Sequence, residues 1–440
     1  MEKKLFDVII IGGGVSGTAL LYELSHFTNL ENICLLEKYA APATLNSHGR
    51  NNSQTLHCGD IETNYSLDKA LQVKRTAEMV VNYSLRQSEK DRLIFKYPKM
   101  VLAVGDEECE KLRKRFSVFG EHYSSMQMME HDDIAKIEPN VVKHRKESVL
   151  SLGMVGEYST VDYGLLSESF VKQSAKITNK NIDIKFNTRV EKLTKKGDTY
   201  TVKTNHGLLE SKFVVITAGA HSLLFAHRMG YGKEFSCLPL AGSFYYTPSA
   251  LNGKVYTVQN DNLPFAAIHG DPDVLVPGKT RFGPTALILP MLERYHWNTI
   301  ADFLRVLRPD LNVAKVMYDL LKVKDVRNYI LTNIMFEVPL LRTRLFQKYV
   351  QKIIPSMPLS DLSFAKKIGG IRPVIIDKKN RVLHLGEAKI SPGNGVIFNM
   401  TPSPGATSCL GNAENDVRII SEYLKCEFDE AEFNATLHER

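Results

Sequence analysis

Apolar and polar positions alternate between two periods along this chain. Phe6-Asp-Val-Ile-Ile-Ile11 is a β-branched run of the kind expected of a strand buried on both faces in a parallel sheet. It breaks into Gly12-Gly13-Gly14-Val15-Ser16-Gly17, and a helical pattern follows through Leu24. A second apolar strand, Ile33-Cys-Leu-Leu36, completes a βαβ unit. Further on, Phe213 to Ala220 predicts a buried strand ending in small residues around Gly219, and Gly395 to Met400 predicts another. Leu410, Ala413, Val417, Ile420 and Leu424 then recur in steps of three and four, the apolar face of a helix. A third pattern lies between these, where Leu304, Leu307, Val313, Val316, Met317, Leu320 and Leu321 recur at helical intervals among Arg305, Arg308, Lys315, Lys322 and Lys324.

The glycine turn changes this from a fold pattern into a chemical one. Gly12 permits a tight turn, Gly14 lets backbone approach a pyrophosphate and Gly17 lets helix and strand pack closely, with Ser16 inside the same turn. The helix N-terminus supplies amides and a dipole for a diphosphate. Glu37 ends the second strand twenty residues after Gly17, where a carboxylate accepts hydrogen bonds from a ribose diol. NAD and FAD both use this unit. The loop Thr401-Pro-Ser-Pro-Gly-Ala-Thr407 opens the last-named helix and reads either as a plain cap or as a helix N-terminus set to stabilise negative charge on the pyrimidine side of a reduced flavin.

Composition narrows the class. The 440 residues are 43% hydrophobic and 24% charged, an ordinary globular balance that excludes collagen-like, disordered and small disulfide-scaffold chains. A net charge of +7 without any block of like charges gives no case for nucleic acid, yet residues 291–352 carry eleven Lys and Arg against six Asp and Glu. Such a segment is either a solvated helix packed on the domain or a basic amphipathic element resting on an anionic leaflet. Six scattered cysteines form no CxxC pair and no zinc spacing, and they read as reduced thiols of a cytoplasmic protein. The apolar run at Val8 to Ile11 is too short for a signal peptide, and no stretch approaches the ~20 apolar residues of a membrane span.

Several ordered motifs carry a resemblance over nearly the whole chain. They are Gly49-Arg-Asn-Asn-Ser-Gln-Thr-Leu-His57, Glu62 to Ser66, Ser159 to Gly164, Leu238 to Ser243, His269-Gly-Asp271, Arg281-Phe-Gly-Pro-Thr285, Gly370-Ile-Arg-Pro373 and the Pro402 to Thr407 loop. In this order they resemble the glycine-oxidase-like and D-amino-acid-oxidase-like FAD enzymes, and within them the shorter bacterial form of the malate:quinone oxidoreductases. The fold this implies is α/β (α+β), a two-dinucleotide-binding Rossmann-like FAD domain interleaved with an antiparallel-sheet substrate domain. Residues 1–75, 150–235 and 365–440 are the expected cofactor segments, and 76–149 with 236–364 the substrate domain. The implied activity is oxidation of L-malate to oxaloacetate on non-covalent FAD, with electrons passed to a membrane quinone. The implied location is the cytoplasm, peripheral on the inner face of the cell membrane. An L-2-hydroxyglutarate oxidase or dehydrogenase and an amino-acid or amine oxidase are the nearest alternatives, since one methylene discriminates by only about 1–3 kcal/mol.

Such an oxidation needs the carbinol carbon held over the flavin's reactive nitrogen, a base near the hydroxyl, and cations for two carboxylates. His269, after the apolar run Leu263 to Ile268, is the candidate base. Asp271 either orients its imidazole or serves as a turn residue before Pro272. Arg372, set between glycines and Pro373, is the stronger carboxylate candidate. Arg281 is a second, with a structural role equally open, and Tyr245 and Tyr246 read as core or cap aromatics. The resemblance adds Asn52, Ser53, Val190, Gly219, Gly405, Ala406 and Thr407 to the cofactor contacts, and no metal is expected.

Overall fold

The computed structural model describes residues 4–260, 267–384, 388–401 and 404–439. Leu263 to Ala266, Pro402 and Ser403, named above, lie outside the described residues.

The first strand, Leu5–Ile11, is buried from Phe6 onward and lies in the middle of a parallel arrangement. On one side it pairs with Asn32–Leu36, which continues to Asn181–Lys185; on the other it pairs with Gly207–Ile216, which continues to Val396–Met400. Full burial on both faces is what its unbroken β-branched run required. Helix Val15–Phe27 follows the glycine turn at once and packs against helices Tyr163–Ala175 and Cys409–Leu424. Val417 and Ile420 of the last helix share one core with Val8, Leu20 and Leu24. Asp162 starts helix Tyr163–Ala175 by accepting from the amides of Gly164 and Leu165 at 2.9 and 3.1 Å.

A second, eight-stranded sheet runs in the order Ser363–Phe364, Tyr245–Pro248, Lys279–Gly283, His269–Pro272, Lys254–Thr257, Lys99–Val104, Val149–Met154 and Gln127–Met129. It is antiparallel except where Lys254–Thr257 runs alongside Lys99–Val104. A smaller antiparallel sheet orders Leu287–Ile288, Phe235–Ala241, Ile371–Asp377 and Val382–His384. Strands Val149–Met154 and Ile371–Asp377, read from sequence as parts of the cofactor segments, pair in these two sheets instead. Sequence proximity to the last βα unit did not show which partner each strand would meet. Arg372 therefore sits on a strand and not in a turn: Pro373 faces Pro239 across the ladder, where neither missing N–H is needed.

The basic segment folds as four short helices, Ile300–Leu307, Leu311–Lys322, Lys324–Met335 and Arg342–Ile353. The first ends at Arg308, whose φ of 44° is left-handed, and Pro309 follows. Val313 and Val316 pack on Leu238, Leu240, Val374 and Ile376 of the small sheet. Leu311 is 80% and Leu340 94% exposed, with Tyr318, Leu331 and Ile334 also in the open. Among the described residues no helix is long and apolar enough to cross a membrane.

Candidate active site

Between the parallel sheet and the two antiparallel ones lies a cavity of about 960 Å³, at the upper end of the roughly 300–1,000 Å³ typical of ligand pockets. The glycine turn forms its floor. Gly12 has φ +114°, and a Cβ there would stand 2.6 Å from the Thr217 carbonyl oxygen; a Cβ on Gly17 would stand 2.0 Å from the Gly12 oxygen. Both positions therefore demand glycine, for different reasons: Gly12 for its backbone angle, Gly17 for the closeness of helix and strand. Gly12, Gly14, Val15 and Ser16 line the cavity at the helix N-terminus, so a phosphate placed there meets backbone dipoles. Ser16 Oγ lies 3.1 Å from Thr401 Oγ1, joining the turn to the late loop.

Glu37 lines the same cavity and its carboxylate accepts from the Gly13 and Tyr39 amides at 2.7 and 2.9 Å. Burial pushes its carboxyl up, and the two amide bonds oppose that shift. Asn52, Ser53, Val190, Gly219, Gly405 and Ala406 also face the cavity. The Asn52 side chain is spent on bracing its own loop, donating to the carbonyls of Asn46 and His48, both at 3.0 Å. Thr407 does not line the cavity: its hydroxyl accepts from the His57 amide at 3.1 Å and bonds the Tyr163 hydroxyl at 2.8 Å, propping the wall from behind.

At the far end, strand His269–Pro272 continues far enough to put His269 and Asp271 on one face, with His269 Nε2 3.4 Å from Asp271 Oδ1. The imidazole stacks on Tyr256, centroids 4.1 Å apart and planes at 9°, and both rings line the cavity. Burial, reinforced by the charges of Lys254 and Arg281, lowers His269 to about 3 against the opposing pull of Asp271, so the ring is neutral at physiological pH. Tyr256 was missed in the sequence, where nothing in Lys254-Val-Tyr-Thr257 sets it apart from a core aromatic. Its hydroxyl bonds Thr55 Oγ1 at 2.7 Å and so ties the strand that pairs with His269 to the polar loop. In that loop His57 lines the cavity with Nδ1 held 2.5 Å from Glu62 Oε1.

The two arginines separate. Arg281 does not line the cavity and is fully buried. It donates to Asp271 Oδ2 at 3.2 Å and to the Gly49 carbonyl at 3.3 Å, lies 3.7 Å from Asp273 Oδ2, and stacks over Phe244. Asp271 faces Arg281 directly across the ladder. With Lys254 3.7 Å from Asp271, two cations and two carboxylates form a closed set. The expectation that Arg281 meets a substrate carboxylate therefore gives way to a structural placement, and Asp271 likewise stands behind the wall. Arg372 differs: it lines the cavity, and among the described residues its guanidinium has no carboxylate partner, its electrostatic neighbours being Tyr65, Tyr329 and Tyr256. Tyr245 and Tyr246 do not line the cavity; the first stacks on Phe346 and the second donates to Asp273 at 2.6 Å. No cluster able to hold a metal ion occurs among the described residues.

A glycine-cradled dinucleotide crevice facing an antiparallel sheet defines the class of flavin-type oxidoreductase folds. Solved structures of that class overlay on nearly the whole chain. L-α-glycerophosphate oxidase from Mycoplasma pneumoniae with FAD bound matches with a TM-score of 0.65 at 21% identity, covering 95% of each chain. Glycine oxidase from Geobacillus kaustophilus matches with a TM-score of 0.66 at 14% identity, again covering 95% of each. Sequence comparison is more specific. Residues 4–439 match the malate:quinone oxidoreductase family, and the chain belongs to it. A probable malate:quinone oxidoreductase of Campylobacter jejuni is 49% identical over 99% of this chain and 100% of its own length. The malate:quinone oxidoreductase of Helicobacter pylori is 44% identical over 96% of each.

Proposed function

We propose that this chain is a FAD-dependent malate:quinone oxidoreductase that oxidises L-malate to oxaloacetate. The observation that carries the reading is the convergence on one cavity of a dinucleotide cradle, a neutral buried histidine and a guanidinium that, among the described residues, has no carboxylate of its own. Gly12, Gly14, Ser16 and Glu37 would hold FAD without a covalent bond, and when bound it would supply a two-electron acceptor whose electrons go on to a membrane quinone. Arg372 takes a substrate carboxylate in a bidentate pair and so fixes the carbinol carbon. Neutral His269 accepts the hydroxyl proton at its other ring nitrogen, Nδ1, since Nε2 faces Asp271. Asp271, 3.4 Å away, steadies the imidazolium that forms. Stacking on Tyr256 keeps the ring in one plane.

The exposed face of the four helices supports peripheral contact with the inner face of the cell membrane. Leu311, Tyr318, Leu331 and Leu340 are exposed in this segment, as are Arg308, Lys322 and Lys324. The test is turnover by purified, FAD-loaded protein with a soluble quinone as acceptor. L-Malate is expected to support quinone reduction well above D-malate, L-2-hydroxyglutarate and L-amino acids. Preference for L-2-hydroxyglutarate or an amino acid would move the assignment to that substrate class.

A further inference from the structure

Glu293, His296, Asn298 and Thr299 of the segment 291–299 line the cavity, and two adjacent side chains of opposite charge anchor the segment to different parts of the molecule. Glu293 is buried; its carboxylate is ion-paired with Lys38, accepts from the Tyr39 hydroxyl at 2.6 Å and lies 3.5 Å from His221 Nδ1. These partners sit immediately after Glu37 and at the start of helix His221–Arg228, on the side of the parallel sheet. Arg294, also buried, turns the other way: it donates to the Gly242 carbonyl and to Ser243 Oγ, beside the small sheet, and lies 3.6 Å from Glu337.

Between these anchors the backbone is held tightly. The amides of Leu292 and Glu293 both donate to Thr299 Oγ1, at 3.2 and 3.3 Å. Tyr295 takes a left-handed φ of +66°, a costly conformation for a bulky residue that persists only where the surroundings over-determine it. Lys38, Tyr39, His221, Glu293 and His296 all line the cavity just beyond Glu37. Nothing in the acid–base and carboxylate roles assigned above uses these groups.

We infer that this segment is a strap that retains the cofactor: Glu293 fastens it over the ribose end of the bound dinucleotide, and Arg294 fastens it to the sheet that carries Arg372. This rests on the reading that FAD occupies the crevice. Glu293 and Arg294 are positioning residues, and the property they set is the rate at which FAD leaves.

The experiment follows recovery of flavin fluorescence after transfer of FAD-loaded protein to flavin-free buffer, for the natural protein, Glu293→Gln and Arg294→Gln. Thermal melting of the flavin-free forms is measured alongside. Loss of a buried charge-assisted set predicts FAD release about ten- to a hundredfold faster in Glu293→Gln, with a similar direction in Arg294→Gln. The flavin-free melting temperature is expected to fall less than the FAD-loaded one, so the gap between loaded and unloaded melting narrows. Release at the natural rate in both variants overturns the strap, as does an equal fall of melting temperature with and without FAD. A natural protein that holds no FAD at all would overturn the flavin reading instead, a result distinguishable at the first step. Tyr39→Phe, which removes one bond to Glu293 and keeps the ion pair, serves as the milder variant and is expected to release FAD at an intermediate rate.

Discussion

Arg281 and Arg372 both sit on antiparallel strands within two residues of a glycine or proline, yet they end in opposite electrostatic states. Arg281 is sealed against Asp271 and Asp273, its charge answered inside the protein. Arg372 reaches the cavity, with tyrosines as neighbours. A buried cation whose countercharges are all internal holds the fold, whereas one without them holds a place for an anion from outside. The difference separates residues whose loss unfolds the protein from residues whose loss only empties the site.

The largest expected effect is at Arg372. Arg372→Met removes a bidentate pair that the substrate alone completes, so kcat/KM for L-malate is expected to fall on the order of a thousandfold. Flavin content and melting temperature are expected to stay near the natural values, and a matching loss of stability would break the contrast. Arg281→Met should do the reverse. It strands two buried carboxylates, and urea unfolding is expected to show about 3–5 kcal/mol of destabilisation. A stable Arg281→Met protein with a strongly raised KM would return Arg281 to the substrate.

A third effect comes from His269. Its folded pKa of about 3 lies below the ordinary value, so the unfolded chain takes up a proton that the native state refuses. The stability concerned is fully present above about pH 6.5 and is lost as the pH falls from there toward 3. Between pH 7 and 5 the natural protein is expected to lose about 2 kcal/mol more than His269→Gln in parallel urea titrations. Identical pH dependence in the two would show that the imidazole is not held neutral. The smallest effect concerns the helical face. Replacing any one of Arg308, Lys322 and Lys324 with Gln should weaken binding to anionic vesicles by about 1 kcal/mol, while turnover with a soluble quinone is unaffected. Unchanged vesicle binding would remove this face from the membrane account.

What was legible in the sequence was local. The strand, the turn at Gly12 to Gly17, the helix and Glu37 are read within some thirty residues because each depends on backbone conformation or on its immediate neighbours. His269 and Asp271 were legible as a pair once the strand was seen to reach Pro272. The role of Arg281 was not, because it is decided across strands: Asp271 stands opposite it in the ladder, and Lys254 arrives from a third strand. The strap was hidden for the same reason, since Glu293 meets Lys38 and Tyr39 from far along the chain. The basic segment was legible in its apolar period but not in its division. One helix ends at the left-handed Arg308 and a new one starts at Leu311; Val313 and Val316 of the second pack on the small sheet, while Leu304 and Leu321 are exposed.

The central claim is that this cavity delivers the electrons of L-malate to a bound flavin. Anaerobic mixing of FAD-loaded protein with L-malate, while the flavin absorbance band is followed, tests it without reference to acceptor or membrane. Rapid bleaching by L-malate is expected, with recovery of the band when a soluble quinone is added. A band that stays intact with L-malate but bleaches with L-2-hydroxyglutarate or an L-amino acid would contradict it.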